Sequence, residues 1–126
     1  MKPDLSIIIP AYNEMDNVFS IVNEFNKFIE EIDFNIELIF VDDGSTDETY
    51  KMLSDTSLSC NTTIVKLSRN YGSHAAIRAG ISVSTADCCM LYYMDMSEPI
   101  ECIQKFYRKL EQGFDIVYSD RVNYKS

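Results

Sequence analysis

Several classes of protein are excluded by what this chain lacks. Lys and Arg number 11 against 20 Asp and Glu, giving a formal net charge of −9, and no basic block interrupts the acidity. Binding to nucleic acid through counterion release needs clustered cations, so no nucleic-acid partner is expected. His74 is the one histidine, and Cys60, Cys88, Cys89 and Cys102 form no C-x-x-C pair, so a zinc site lacks its ligands. Adjacent in an apolar run, Cys88 and Cys89 face opposite sides of a strand as small buried hydrophobes. Unpaired thiols suit a reducing, cytoplasmic setting. No apolar run reaches the length of roughly 20 residues that a bilayer-spanning helix needs. Residues 1–4 lead straight into a strand, so neither a signal peptide nor a membrane helix is expected, and membrane association would have to come from regions absent here. The motif G-x-x-x-x-G-K-[ST] is missing, and no glycine-rich cradle follows the first strand, which disfavours nucleoside triphosphate hydrolysis.

The 126 residues are 46% hydrophobic and 12% aromatic, enough apolar surface to offset chain entropy in one compact domain spanning 1–126. Apolar runs at 5–9, 36–41, 63–67, 88–93 and 114–118 read as buried strands. Helices fill the gaps. Val18, Ile21, Val22, Phe25, Ile29 and Ile32 recur at helical spacing, with Asn13 and Asp16 placed as a cap. Ser45 and Glu48 form a capping box before a helix at 49–53, and Gly72 and Ser73 precede a helix at 75–81 built on small residues. Pro99 takes the first position of a last helix, whose inner face carries Ile100, Ile103, Tyr107 and Leu110 and which Gly113 ends. Alternating strands and helices imply an α/β fold, a mainly parallel sheet with flanking helices.

Two segments concentrate the chemistry. SIIIPAYNE at 6–14 and LIFVDDGSTDET at 38–49 each run from an apolar strand through a sharp polar break to a helix start. Both loops then lie at the carboxyl edge of the sheet, where ligands of such folds bind. They offer Tyr12, Asn13, Glu14, Asp42, Asp43 and Asp47, an acid-rich mouth suited to a base, a ribose or a metal-bound phosphate.

Four segments, in order and over nearly the whole chain, carry a resemblance. They are Pro10 to Glu14, Val41 to Asp47, Arg69 to His74, and Asp95 to Pro99. Together they resemble the family 2 glycosyltransferases of GT-A fold, closest to the branch that charges polyprenyl phosphates. The resemblance implies the Rossmann-like, nucleotide-binding half of a GT-A domain, with the rest of such a domain beyond the 126 residues. Its implied partners are a nucleotide-diphosphate sugar donor and a lipid-phosphate or glycan acceptor. Pro10, Tyr12 and Glu14 match the loop that packs on base and ribose, and Asp43 matches the aspartate that accepts a base N–H, with Asp42 supporting it. Arg69 and Arg121 match basic residues near the nucleotide and its phosphates.

The family's metal motif, Asp-x-Asp-Leu-Gln-Asp-Pro, is altered. Tyr93 stands at the first aspartate, Asp95 at the second, Ser97 at the glutamine and Glu98 at the third. A divalent metal, Mg or Mn, is still expected, held by Asp95 with Ser97 or Glu98 and the diphosphate itself. In a full-length protein, the implied setting is the inner face of the cell membrane.

Structural alternatives stand beside these roles. Asp47 shapes a turn as readily as it meets a ligand, His74 reads as a polar group near a helix start, and Tyr93 reads as a core or rim aromatic. Met90, Met94 and Met96 read as packing residues, and Glu98 as an acid at a helix start. A non-catalytic nucleotide-sugar module is the second functional reading. A nucleotidyltransferase or a receiver-like module is a third, and the latter lacks its lysine.

Overall fold

The computed structural model describes residues 2–113. The strand expected at 114–118 and Arg121 lie outside the described residues. Within them the chain runs β1 (Leu5–Ala11), a 3-10 turn (Met15–Asn17), α1 (Val18–Glu31), β2 (Ile36–Asp42), α2 (Thr49–Ser54), β3 (Asn61–Lys66), α3 (Ser73–Val83), β4 (Cys89–Leu91) and α4 (Glu101–Glu111). The four strands form one parallel sheet in the order β3-β2-β1-β4.

β1 and β2 form the centre of this sheet, and their composition shows why. Both are nearly continuous Ile, Leu, Val and Phe and are buried along almost their whole length, the pattern of a parallel strand covered on both faces. Leu5, Ile7, Ile9, Leu38 and Phe40 meet Val18, Ile21, Val22, Phe25 and Phe28 of α1, Leu53 of α2 and Ile103 of α4 on one face. On the other face, Ile8, Ile39 and Val41 meet Ala76 of α3. Each large side chain so buried contributes about 1.5–3 kcal/mol relative to exposure. α3 lies close to the sheet because Gly80 has no side chain. A Cβ there would fall 2.5 Å from Ile8 Cγ2.

The boundaries depart from expectation in specific ways. β3 begins and ends earlier than the expected 63–67, and β4 is confined to the three residues that pair with Ser6–Ile8 of β1. Pro99 sits just ahead of α4, where its carbonyl accepts from Cys102 N and opens the first turn. The expected Asn13–Asp16 cap is absent: α1 is entered through the 3-10 turn, and Asn13 is engaged elsewhere. Nor do Ser45 and Glu48 form a capping box. Ser45 Oγ accepts from Asn13 N, and Asp47 Oδ1 takes up the Thr49 amide and hydroxyl.

Strand order fixes where a ligand can enter. From β1 the chain moves outward through β2 to β3, then returns to the other side of β1 for β4. The strand order thus reverses beside β1, and the carboxyl edge at such a reversal is where ligands of open α/β sheets bind.

Candidate functional site

Three loops at the carboxyl edge are tied into one platform. The first follows β1, where Asn13 adopts φ 52°, a left-handed conformation that Asn tolerates better than most residues. That conformation turns Asn13 towards the second loop. Its amide donates to Ser45 Oγ at 2.8 Å, and its Oδ1 accepts from Thr46 N at 2.8 Å and Asp47 N at 3.3 Å. Glu14 N donates to Thr49 Oγ1 at 2.8 Å, and Glu14 Oε1 accepts from Asn17 Nδ2. Loops after β1 and β2 are thus held by side chains more than thirty positions apart in sequence.

Asp43 ties the second loop to the third. Its carboxylate, only 5% exposed, accepts Tyr71 N at 2.8 Å on Oδ1 and Gly72 N at 3.1 Å on Oδ2. Gly44 makes the close approach possible. At φ 72° it lies so near the third loop that a Cβ would stand 2.2 Å from the Arg69 carbonyl carbon. Beyond this contact, the Arg69 guanidinium lies over the Tyr71 ring, 4.9 Å from its centroid, and the Tyr71 and Ser68 hydroxyls are 3.0 Å apart. Tyr12 and Tyr71 are exposed at 44% and 51%, so two aromatic faces and one guanidinium border the platform.

Asp42 sits beneath the surface. It is fully buried, Oδ2 accepts Ser45 N at 3.3 Å, and Oδ1 has no hydrogen-bond partner. Sequence reasoning grouped Asp42 with the nucleotide-binding residues in the part of supporting the loop, and its burial and its bond from Ser45 N place it beneath the second loop. Asp47 resolves towards its structural alternative. Desolvation by burial would raise its pKa, but the Thr49 hydroxyl and amide donate to it and hold it below the ordinary carboxylate value.

A fourth loop stands apart, on its own turn. Tyr92 is buried against Phe25, with ring centroids 5.7 Å apart, and its hydroxyl donates to the Glu98 carbonyl at 2.8 Å. Burial pushes the Tyr92 phenol well above its ordinary pKa, so it stays a donor. Met96 N closes a turn onto Tyr93 O, Met96 itself takes φ 52°, and exposed Asp95 accepts Ser97 N on Oδ1 at 3.0 Å. Among the described residues no three His, Cys, Asp or Glu side chains come together as a metal cage. The expected set of Asp95, Ser97 and Glu98 supplies two carboxylates, one of them exposed. This donor set fits an ion completed by substrate phosphates, the usual habit of magnesium, and does not fit a preformed protein cage.

The structure therefore sets Pro10 and Asp42 at the carboxyl ends of β1 and β2, Tyr12, Glu14, Asp43 and Arg69 on three interlocked loops, and Asp95 beyond β4. Asn13 is the residue whose part sequence reasoning missed. Its signal was an Asn directly after a strand, a residue type able to turn left-handed and accept several amides at once. Lys66 was also passed over. It ends β3 opposite Asp42, and its ammonium lies 4.6 Å from the centre of the Tyr50 ring.

Comparisons with known proteins agree with this fold. The chain is 36% identical over 121 residues to an undecaprenyl-phosphate 4-deoxy-4-formamido-L-arabinose transferase of Enterobacter sp. (strain 638), covering 94% of this chain and 37% of that protein. A mycobacterial protein of solved structure superposes with a TM-score of 0.71 at 20% identity, over 90% of this chain and 39% of the other. S. aureus TarS residues 1–349 superpose with a TM-score of 0.69 at 19% identity, over 86% and 32%. These likenesses show the fold, the parallel-sheet half of a GT-A domain, and the chain spans between about a third and two fifths of those relatives. The family description "Glycosyl transferase family 2" matches residues 6–126, and on that match the chain belongs to glycosyl transferase family 2.

Proposed function

We propose that this chain binds the nucleotide of a nucleotide-diphosphate sugar and serves an inverting transfer of that sugar to a polyprenyl phosphate or a growing glycan. The observation that carries the proposal is the platform of three loops joined through Asn13 and Asp43 at the crevice of the sheet. Pro10, Tyr12 and Glu14 form the wall for base and ribose. Asp43 keeps a second lone pair on each oxygen, which suits it to accept the ring N–H of uracil or guanine. Arg69 supplies positive charge to base or diphosphate, and Arg121 would add to it. Asp95 faces the phosphate end from the fourth loop.

In such a transfer an acceptor oxygen attacks the anomeric carbon as the bond to the diphosphate breaks, and the bonding pair leaves with the diphosphate. Charge grows on the departing oxygen, where fixed cations stabilise the transition state. A divalent ion held by Asp95 and the phosphates would supply further Lewis-acid stabilisation there. The relative from Enterobacter is named for an undecaprenyl-phosphate substrate. A phosphate acceptor is anionic already and needs no general base. We propose the cytoplasmic face of the membrane as the setting. No helix among the described residues is long and apolar enough to cross a membrane.

The test is calorimetric titration of the folded chain with UDP, GDP and their sugars, with and without manganese. Saturable binding of one nucleotide series, lost in Asp43→Ala, is expected; an intact fold that binds none of them overturns the proposal. The altered fourth loop favours one second reading, a non-catalytic nucleotide-sugar module. Turnover by a full-length protein that disappears in Asp95→Ala would remove it.

A further inference from the structure

Tyr92 is not part of the exposed tip of the fourth loop, yet it is joined to both ends of that loop. As the first residue past β4, it donates its backbone N–H to Ile8 O at 2.9 Å, which fixes its root to β1. Its ring is 2% exposed and meets Phe25 of α1 edge to face, with centroids 5.7 Å apart. From there the hydroxyl donates to the Glu98 carbonyl at 2.8 Å, six positions further along the chain. One side chain thus ties both legs of the turn to the sheet and to α1.

Between the two legs, buried and exposed residues alternate. Met94 is 1% exposed and Met96 packs partly on the same core, whereas Asp95 and Ser97 are exposed. Met96 N closes onto Tyr93 O, and Met96 holds φ 52°, a conformation that persists in a non-glycine residue when its surroundings impose it. The Asp95 carboxylate accepts Ser97 N, a bond internal to the turn, which cannot fix the turn against the sheet. The Tyr92 hydroxyl can.

A buried tyrosine needs an acceptor wherever it stands, and satisfying one phenol is the plainer account of this bond. The acceptor argues for more. Glu98 O lies directly ahead of Pro99, at the end of the loop whose beginning Tyr92 itself occupies, so the bond spans the turn from end to end. A turn closed in this way has less freedom to displace its tip.

Resting on the function proposed above, we infer that Tyr92 is a positioning residue for sugar transfer: its hydroxyl clamps the two legs of the fourth loop and holds Asp95 where it acts on the donor. Tyr92 itself touches no substrate. Its loss is felt in the transfer step more than in donor binding, which rests on the three loops joined by Asn13 and Asp43.

The test removes one oxygen. Tyr92→Phe keeps the ring against Phe25 and deletes the donor. Hydrogen exchange of the folded chain is expected to quicken at residues 95–97 by about fivefold or more, with the amides of β1 and β2 unchanged. In the full-length protein, transfer from a UDP- or GDP-sugar to polyprenyl phosphate should show kcat lowered about tenfold or more and the donor KM within about twofold. A double-mutant cycle assigns the route: in an Asp95→Asn background, Tyr92→Phe should lower kcat by under about twofold, because the group it positions is already impaired. Phe25→Leu loosens the same core but keeps the hydroxyl, so it should lose stability in urea and retain kcat. Unchanged exchange or native turnover in Tyr92→Phe, native turnover in Asp95→Asn, equal losses in the two backgrounds, or a matching kcat loss in Phe25→Leu overturns the inference. A native full-length protein that transfers no sugar from either donor overturns the proposed function itself, and the inference falls with it.

Discussion

Two buried carboxylates on β2, five positions apart, are treated in opposite ways. Glu37 lies near the amino end of the strand and is 5% exposed. Its Oε1 accepts Ser6 Oγ at 2.6 Å and Thr85 N at 2.7 Å, while the Thr85 hydroxyl reaches both oxygens and Ser6 Oγ in turn accepts Ala86 N. Asp42, at the carboxyl end, is wholly buried with one oxygen unpartnered. Burying a polar atom unpaired costs about 1–3 kcal/mol, whereas a saturated network costs little. The amino edge is therefore built for stability, staples the α3–β4 turn to two strands, and exposes no chemistry. The carboxyl edge tolerates an orphan oxygen, two non-glycine residues at positive φ and a backbone approach that only Gly44 permits. Unfavourable features thus gather at the edge proposed to bind the nucleotide.

A matched pair of alanine substitutions would break that contrast if it is wrong. Glu37→Ala strands the Ser6 hydroxyl and the Thr85 amide, and is expected to cost about 3 kcal/mol of stability in urea unfolding. Nucleotide affinity of the folded fraction should stay as it was. Asp42→Ala removes one long hydrogen bond to Ser45 N and one unpaired oxygen, so its stability cost should be about 1 kcal/mol or less. The nucleotide should nevertheless bind more weakly, because the second loop loses its support. Equal stability losses in the two variants would erase the distinction between the edges.

Asn13 sharpens the comparison within the carboxyl edge. Asn13→Gly keeps the positive φ accessible but deletes the acceptor of Thr46 N and Asp47 N, with an expected loss of about 1–2 kcal/mol. Asn13→Ala adds the strain of a left-handed alanine, about 1 kcal/mol more. Both should reduce nucleotide affinity by about the same factor, since both release the second loop. If affinity instead followed stability across the two, the side chain would be serving only the backbone turn.

How much of this was legible in the sequence depends on whether a feature is local. The central strands announced themselves as unbroken apolar runs, and α1 by its spacing of Val18, Ile21, Val22 and Phe25. The acids of the mouth stood out too, because Asp42 ends β2, Asp43 follows it, and Glu14 and Asp47 lie in the polar breaks just after the two strands. Tertiary partnership was not. Asn13 and Ser45 look like helix caps by position, yet they cap each other's loops across 32 residues. Glu37 sits inside an apolar run with nothing nearby to suggest Ser6 and Thr85, and Asp43 gave no sign that the amides of Tyr71 and Gly72 converge on it. β4 was overestimated because an apolar run of six marks burial, while pairing extends only along Ser6–Ile8 of β1.

The smallest expected effect is the share of the pH dependence that Glu37 contributes at the amino edge. Burial alone would raise the Glu37 pKa, but donation from the Ser6 hydroxyl, from Thr85 and from the Ala86 amide outweighs it and holds the group below its ordinary value of 4.5. A folded pKa below the unfolded one means that the folded state binds its proton less readily. The resulting stabilisation is fully present above about pH 4.5 and is lost as pH falls through the folded value. Asp33 and Asp47 are shifted in the same direction, so the native chain alone cannot assign the loss. Glu37→Gln can, because it removes only the one titration. Urea midpoints of the two proteins should lie further apart at pH 6 than at pH 3.5. A gap that stays constant with pH would mean that the staple works through shape and neutral hydrogen bonds, with no contribution from its charge.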